Sequence, residues 1–269
     1  MMLRTTVRDC LYLNWALPAE AVPAPPPPLR YQYHAWQGED YVFASALLFY
    51  QDALHVPALP FLKVGYPQLN LRLYVLDEQG MPSILVRRML TPAWVAPGVR
   101  LVTHQPVSRA RLDFPRPSRN VDGGPWRWRA ERGGRLEVQA WPDSPAVGEG
   151  PRLGSWEQGV RYFQERPRAY AEDSGVLHRI DARHPTSAIW PLHAEVHGDG
   201  LLPRLFHFAP GARWPGLHSA WLCPEIPFVF DLGIVTKMAP APALPQPAAG
   251  RVAAVWRQSD GLRPPGMAA

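Results

Sequence analysis

The chain has 269 residues, of which 46% are hydrophobic and 11% aromatic, and this suits one large folded domain with appendages. Its formal net charge is +5, yet Lys63 and Lys237 are the only lysines, so its basic character comes almost entirely from arginine. The scarcity of lysine argues against chemistry that needs an adjacent lysine pair. The 33 prolines exceed twice the usual share of about 5% and predict short elements and many loops.

The cysteines and the N-terminal residues indicate the cellular compartment of the protein. Cys10 and Cys223 lie far apart and form no disulfide framework, so we expect two buried thiols in a reducing environment. The N-terminal residues lack the apolar core of a signal peptide, and no apolar run is long enough to span a bilayer. We therefore expect a soluble cytoplasmic protein with no membrane partner, and we leave its oligomeric state open.

Hydrophobic patterning predicts an α+β fold dominated by antiparallel strands. We expect a short helix, or a helix plus a turn, over residues 3–17, followed by a stiff proline-rich connector over residues 24–29. The predicted strands cover residues 41–50, 68–76, 83–90, 126–130, 135–141, 192–197 and 201–208. Turn residues between successive strands predict hairpins at 77–80, 131–134 and 198–200. The aromatic content favours a strongly curved sheet or a cone-like, partly closed β-barrel with a few short helices.

A second helix is predicted to begin after Ser155. Ser155 and Gln158 have the spacing of a capping box, and Pro167 ends the helical pattern. Beyond it, a Pro/Ala-rich segment predicts a mobile tail over residues 236–269. We therefore expect a single domain over residues 1–235.

The strand predicted at residues 68–75 has an unusual polar face. Leucine and valine alternate there with four polar residues, which share one side of the strand: Gln68, Asn70, Arg72 and Tyr74. Amides, a guanidinium and a phenol recognise ligands well but do little acid–base chemistry at neutral pH. Arg72 is a candidate clamp for a carboxylate or phosphate, with Gln68 and Asn70 orienting the ligand. The alternative is that these side chains only satisfy neighbouring groups within the sheet.

Three other sites are possible from the residue types alone. His193, Glu195 and His197 share one face of a predicted strand and are plausible ligands for zinc or iron, although a solvent-facing hairpin gives the same pattern. Lys63 has apolar neighbours that could lower its pKa for Schiff-base chemistry, but a surface lysine is the commoner case.

The third possibility is a macromolecule-binding surface. Arg127 and Arg129 alternate with Trp126 and Trp128, and basic residues mixed with aromatic ones can bind single-stranded nucleic acid. The same alternation describes an amphipathic strand with its tryptophans inward and its arginines in water. We favour the strand, expect no nucleic-acid partner, and predict no cofactor.

Several fragments, in order along the chain, resemble the YqjF-like family of uncharacterised bacterial proteins. They are residues 11–18 (LYLNWALP), residues 68–75 (QLNLRLYV), the helix at 156–166 followed by Tyr170, and residues 207–211 (HFAPG). The resemblance implies an acetoacetate decarboxylase-like fold, a β-rich cone around a central cavity. A fold of this kind does not imply one activity.

The resemblance also sets expectations for the site. Acetoacetate decarboxylases use a Schiff-base lysine beside a second lysine, whereas this chain carries Arg87 and Arg88 in the strand after the signature hairpin. Family members often have Glu where this chain has Gln68, so acid–base work there is not expected. Asn70, Arg72 and Tyr74 keep the family pattern. We therefore expect a protein that binds a small anionic or carbonyl-bearing organic ligand, and the sequence leaves open whether it is an enzyme.

Overall fold

A single strongly curved sheet dominates the computed structural model, which describes residues 1–119, 124–198 and 200–232. The strands of the first half are β1 (Met2–Pro18), β2 (Arg30–Tyr31), β3 (Tyr33–Trp36), β4 (Glu39–His55), β5 (Val64–Leu76), β6 (Pro82–Thr91) and β7 (Val107–Arg109). Those of the second half are β8 (Arg111–Asp113), β9 (Trp126–Glu131), β10 (Arg135–Pro142), β11 (Arg168–Asp173), β12 (Val176–Arg183), β13 (Trp190–Gly198) and β14 (Ser219–Asp231). The α-helices are α1 (Ala96–Thr103), α2 (Trp156–Gln164) and α3 (Leu201–Phe206).

The long strands form a closed ring. They follow one another in the order β1, β4, β5, β6, β11, β12 and β14, and β14 pairs again with β1. These pairings are antiparallel except that between β6 and β11, which is parallel. From β14 the sheet continues outward through β13, β10, β9 and β8. The predicted α+β class, with a mostly antiparallel, strongly curved sheet and few short helices, is confirmed.

The ring strands β1, β4 and β5 are buried on both faces over most of their length. On β5, Leu69, Leu71 and Leu73 point outward into a core that they share with β9, β10 and α3. Gln68 and Arg72 alternate with them and therefore point into the ring, because successive side chains on a strand face opposite sides. The predicted alternation of this strand and its hairpin with β6 are confirmed.

Helix α2 closes one end of the ring. Val160 and Phe163 of this helix pack on the inward side chains Phe43, Tyr74 and Trp221. The predicted capping box is present: the Ser155 hydroxyl accepts a hydrogen bond from the backbone N–H of Gln158, whose side chain accepts one from the backbone of Ser155. The cap fixes where α2 begins, so its apolar face meets the ring.

The helix predicted over residues 3–17 is wrong, because this segment is strand β1. Its apolar residues come in a nearly continuous run, which does not distinguish a buried helix from a buried strand. The strand is favoured here because β1 pairs with β4 on one side and β14 on the other. Between these neighbours both of its faces are buried, one toward the inside of the ring and one toward the outer core.

The strand predicted over residues 201–208 and the hairpin predicted at 198–200 are also wrong, because β13 ends at Gly198 and residues 201–206 form helix α3. Leu201, Leu202, Leu205 and Phe206 are all buried, which follows the spacing of a helical face. Pro203 cannot donate to a sheet but is compatible with the first turn of a helix. The hairpin predicted at 131–134 is confirmed as the β9–β10 connection. The tail predicted over residues 236–269 lies outside the described residues.

Asp77 joins the β5–β6 turn to β11. It accepts hydrogen bonds from the backbone N–H groups of Gln79 (2.9 Å) and Met81 (2.8 Å), from the Arg168 guanidinium and from the Tyr170 hydroxyl (3.2 Å). Burial raises the pKa of Asp77, but the hydrogen bonds from Arg168 and the turn outweigh it and hold the pKa below its ordinary value of 3.8.

We therefore expect Asp77→Asn to lower the free energy of unfolding at pH 7 by about 2 kcal/mol. Because the folded-state pKa is depressed, this stabilisation is complete above the unfolded-state pKa and is lost as the pH falls below 3.8 through the folded-state value. Urea denaturation at pH 7 and at pH 3 measures both effects. Glu78→Gln, exposed in the same turn, is the matched control and should change little. Equal losses for the two variants would contradict the assignment.

Candidate functional site: the cavity inside the ring

The ring encloses a cavity of about 440 Å³ that reaches the surface at the end opposite α2. A volume in this range suits a small organic ligand. Its walls are mostly apolar, with contributions from β1, β4, β5, β6, β12 and β14. Gln68, Asn70 and Arg72 of β5 line it, as does Arg166, which follows α2. Tyr74 does not line the cavity and instead supports Arg72 from behind.

Arg72 is held at the closed end by neutral partners. Its Nε donates to the Tyr74 hydroxyl (3.0 Å) and its Nη2 to the carbonyl of Phe163 on α2 (2.8 Å). Its Cζ lies 5.1 Å from the ring centroid of Tyr12 and 5.4 Å from that of Tyr74. Burial lowers the pKa of Arg72, but these two phenols more than offset the effect, and the pKa lies above its ordinary value. The guanidinium is therefore a fixed positive charge.

A row of side chains positions this arginine across neighbouring strands. Asn14 donates to the carbonyl and hydroxyl of Ser219 (3.2 Å each), and the Ser45 hydroxyl donates to the Asn14 side chain (2.5 Å). Ser45 is also hydrogen-bonded to the Tyr74 hydroxyl (2.7 Å), which accepts from Arg72. We call these five residues the polar row. It crosses β14, β1, β4 and β5 and is buried throughout.

Arg166 is the second buried cation of the cavity. It is 5% exposed, and its Nε donates to the carbonyl of Tyr162 (2.6 Å) while Nη1 donates to the side chain of Gln32 (3.0 Å). Its Cζ lies 4.2 Å from the ring centroid of Tyr162 and 5.1 Å from that of Tyr74. Burial lowers the pKa of Arg166, and the charge of Arg72 lowers it further. Tyr74 therefore lies against both guanidinium groups.

The two arginines have no acidic counterion within the described part of the chain. Neither makes an ion pair there, and no aspartate or glutamate lines the cavity. A buried charge is costly unless it is paired, and here only neutral oxygen atoms and aromatic faces compensate it. The closed end of the cavity therefore carries positive charge that an anion could neutralise.

Unused amide atoms add to the polar side of the cavity. Gln68 donates to Asn70 (2.7 Å), but its Oε1 has no partner among the described residues. Within the described part of the chain, Gln105, after α1, has no partner for either side-chain amide atom, and the Nε2 of Gln164 has none. All three glutamines are buried and line the cavity. Since buried polar atoms are normally satisfied, these are available to a ligand or to water.

Cys10 and Cys223 also line the cavity. They occupy opposite positions on the paired strands β1 and β14, and both are free thiols. Burial raises the pKa of both thiols, that of Cys223 to about 11. Thiols in such surroundings are poor nucleophiles at neutral pH. The buried thiols expected from the sequence are therefore present.

The other sequence candidates lie away from the cavity. Lys63 is exposed in the loop between β4 and β5, and no lysine lines the cavity among the described residues; Lys237 lies outside them. His193, Glu195 and His197 are exposed on β13, and the described residues contain no group of three possible metal ligands. Arg127 and Arg129 are exposed on β9 with Trp126 and Trp128 buried beneath them, as in the amphipathic strand that we favoured.

Sequence reasoning missed Arg166, Gln105 and Gln164. Arg166 follows the last turn of a helix, where a basic residue is common because it complements the helix dipole. Gln164 is the last residue of α2, and Gln105 lies just after α1. Neither belongs to a periodic pattern of hydrophobic residues that would predict its direction. Their inward placement depends on where α1 and α2 dock on the ring, which the sequence pattern does not specify.

Comparison with known proteins places the chain in a family. Residues 4–219 match the family DUF2071, described as uncharacterized conserved protein (COG2071). The chain belongs to this family. It is the YqjF-like family that the sequence fragments predicted, so that prediction is confirmed. No curated protein matches the sequence. None of the helices in the described residues has the length and apolar character to cross a membrane.

Solved structures share the fold at low sequence identity. The enduracididine biosynthesis enzyme MppR with HEPES bound superposes with a TM-score of 0.58 at 12% identity, covering 88% of each chain. The same enzyme complexed with pyruvate gives 0.55 at 13% identity, covering 86% of this chain and 87% of that one. An acetoacetate decarboxylase-like enzyme from Sphingomonas wittichii RW1 gives 0.47 at 14% identity, covering 89% and 94%. The first two similarities show the fold and no activity.

The unsatisfied amide of Gln105 has a measurable consequence. Replacing a buried, unpaired polar group by an apolar one of similar size removes a desolvation penalty, whereas replacing a hydrogen-bonded one removes a bond. We expect Gln105→Leu to raise the free energy of unfolding of the ligand-free protein by about 1 kcal/mol. Gln51→Leu is the matched control, because this buried glutamine lines the same cavity and accepts from Thr5 (2.8 Å).

Gln51→Leu should lower the free energy of unfolding by about 1 kcal/mol. Urea denaturation of the wild type and both variants checks the opposite signs. A loss of stability in both variants would mean that Gln105 has a partner in solution, such as an ordered water.

Proposed function

We propose that the protein binds a small organic anion in the cavity inside the ring. Arg72 and Arg166 are the counterions of its acidic group, and Gln68 and Asn70 orient the rest of the molecule. The observation that carries the proposal is the pair of buried guanidinium groups without an acidic partner among the described residues. Arginines in a largely apolar cavity bind carboxylates strongly, since charge-assisted hydrogen bonds gain strength where water is excluded.

The geometry leaves donor capacity for such a ligand. Arg72 uses Nε and Nη2, and Arg166 uses Nε and Nη1, so Nη1 of Arg72 and Nη2 of Arg166 make no hydrogen bond within the described residues. Both guanidinium groups lie against Tyr74, which keeps them in one region of the cavity. An acidic group bound there would be stabilised by the positive charge of both arginines and would accept hydrogen bonds from their free N–H groups.

The solved neighbours support an anionic ligand by analogy. MppR, which shares the fold, has been solved with pyruvate and with the condensation product of pyruvate and imidazole 4-carboxaldehyde. Pyruvate carries the kind of acidic group for which the two arginines are suited. At 12–13% identity the analogy concerns the fold, so the proposal depends on the residues of this chain.

The proposal assigns no reaction. Lys63, the described lysine, is exposed and outside the cavity, which gives no support to a Schiff-base mechanism there. The exposed His193, Glu195 and His197 give none to metal-dependent chemistry.

Isothermal titration calorimetry with pyruvate, benzoate and hexanoate tests the proposal. We expect Arg72→Gln and Arg166→Gln each to weaken carboxylate binding by roughly ten- to a hundredfold, because a charge-assisted hydrogen bond is lost. Arg127→Gln, an exposed arginine on β9, is the control and should bind as the wild type does. If none of the three acids binds, or if neither cavity variant changes the affinity, the proposal is wrong.

Asn70→Asp provides a second test that adds a charge and keeps the arginines. Asn70 and Arg72 occupy successive inward positions on β5, about 7 Å apart along the strand. The new carboxylate would act as an internal counterion and still accept from Gln68. We expect a folded protein with at least tenfold weaker carboxylate binding, whereas unchanged binding would show that the positive charge at the closed end does not hold the anion.

A further inference from the structure

The cavity has its buried cations at one end, and most of its remaining lining is apolar. Arg72 and Arg166 lie at the end closed by α2, beside the aromatic side chains of Tyr12, Tyr74 and Phe163. At the opposite end the lining includes Leu62, Val64 and Val102, which are 58%, 37% and 40% exposed. These exposed apolar residues show where the cavity meets solvent.

The distance between the two ends follows from β5. Arg72 and Val64 lie on the same strand, eight residues apart, and at roughly 3.3 Å per residue this is at most about 26 Å. Between them, Gln68 and Asn70 make one wall polar. The facing wall is apolar and is formed by side chains of β12 and β14, namely Ile180, Ala182, Cys223, Ile226, Phe228 and Phe230. A ligand that fills this space therefore meets buried cations at one end and mostly apolar side chains along the rest of its length.

The size of the cavity exceeds what a very small acid needs. A volume of about 440 Å³ lies in the range of roughly 300–1,000 Å³ that is typical of sites for drug-sized ligands. Pyruvate, with six non-hydrogen atoms, would leave most of the apolar half empty. Wetting an apolar surface is unfavourable, so a ligand that covers it gains affinity with each added methylene.

We infer that the ligand is an amphipathic carboxylate, with its acidic group against Arg72 and Arg166 and an apolar body of about ten carbons extending toward Leu62 and Val102. This inference rests on the proposed anion site and adds the chemical class and direction of the ligand. The exposed apolar rim then acts as the entrance for the apolar body. Gln68 and Gln105 lie along its path, where their unused amide atoms can meet a polar substituent.

Binding of a homologous series tests the inference in the wild-type protein. We expect the affinity for acetate, hexanoate and decanoate to rise about fourfold per methylene, the factor that corresponds to burying one CH₂ group, until the cavity is filled. Decanol, which has the same chain without the acidic group, should bind at least tenfold more weakly than decanoate. Calorimetry below the critical micelle concentration gives each dissociation constant, with weak ligands measured by displacement of decanoate.

A variant at the apolar end separates the two halves of the site. Val64 on β5 lines the exposed rim of the cavity, eight residues from Arg72, and Val64→Trp would fill this part of the cavity without touching either arginine. We expect decanoate to bind at least tenfold more weakly to the variant and acetate to bind equally well to both proteins. Val102→Trp on α1, also at the exposed rim, is the alternative if Val64→Trp does not fold.

The outcomes distinguish this inference from the proposed function. Equal affinity for acetate, hexanoate and decanoate would overturn the apolar body and leave the anion site intact. Equal affinity for decanol and decanoate, unchanged by Arg72→Gln, would overturn both. Failure of every acid to bind would overturn the anion site and the inference with it.

Discussion

The buried guanidinium of Arg72 is the constraint around which the interior of the ring is organised. An isolated charge in such a place would cost several kcal/mol if it were left without partners. The polar row meets this cost by linking Ser219, Asn14, Ser45 and Tyr74 across four neighbouring strands, and α2 contributes a carbonyl. None of these groups carries a negative charge. The fold therefore holds Arg72 in a defined position without neutralising it, which is the condition that an anion-binding site requires.

The closure of the ring explains how an apolar protein interior can hold such a site. Because β14 pairs with β1, both faces of every ring strand are used: outward leucines build the main core, and inward side chains line the cavity. The outer core supplies most of the hydrophobic stabilisation, which leaves the inner face free to carry amides and arginines. Helix α2 then closes one end and brings Arg166 beside Tyr74. The main apolar core and the buried arginines and amides thus lie on opposite faces of one sheet.

Local sequence signals correctly predicted the helices and strands whose formation depends on residues close together in the chain. The period-2 alternation of residues 68–75 predicted β5 and its two faces, and the Ser155–Gln158 spacing predicted the start of α2. The same reasoning gave the wrong secondary structure for two segments. Residues 3–17 form β1 because β4 and β14 flank them. For α3 the local signal was present and was wrongly assigned to a strand, since Pro203 and the spacing of the buried leucines fit a helix.

By itself, the sequence determined the family, the sheet-rich class and the inward face of β5 with Gln68, Asn70 and Arg72, because these depend on residue order and on a period of two. Only the tertiary structure decided that Tyr74 supports Arg72 instead of lining the cavity. It also added Arg166 and the glutamines at 105 and 164 to the cavity lining. Lys63 and the β13 histidines, in contrast, lie outside the cavity. The physical reason is that burial and the absence of a counterion are properties of the surroundings of a side chain. Those surroundings are assembled from strands and helices far apart in the chain, so no local pattern records them.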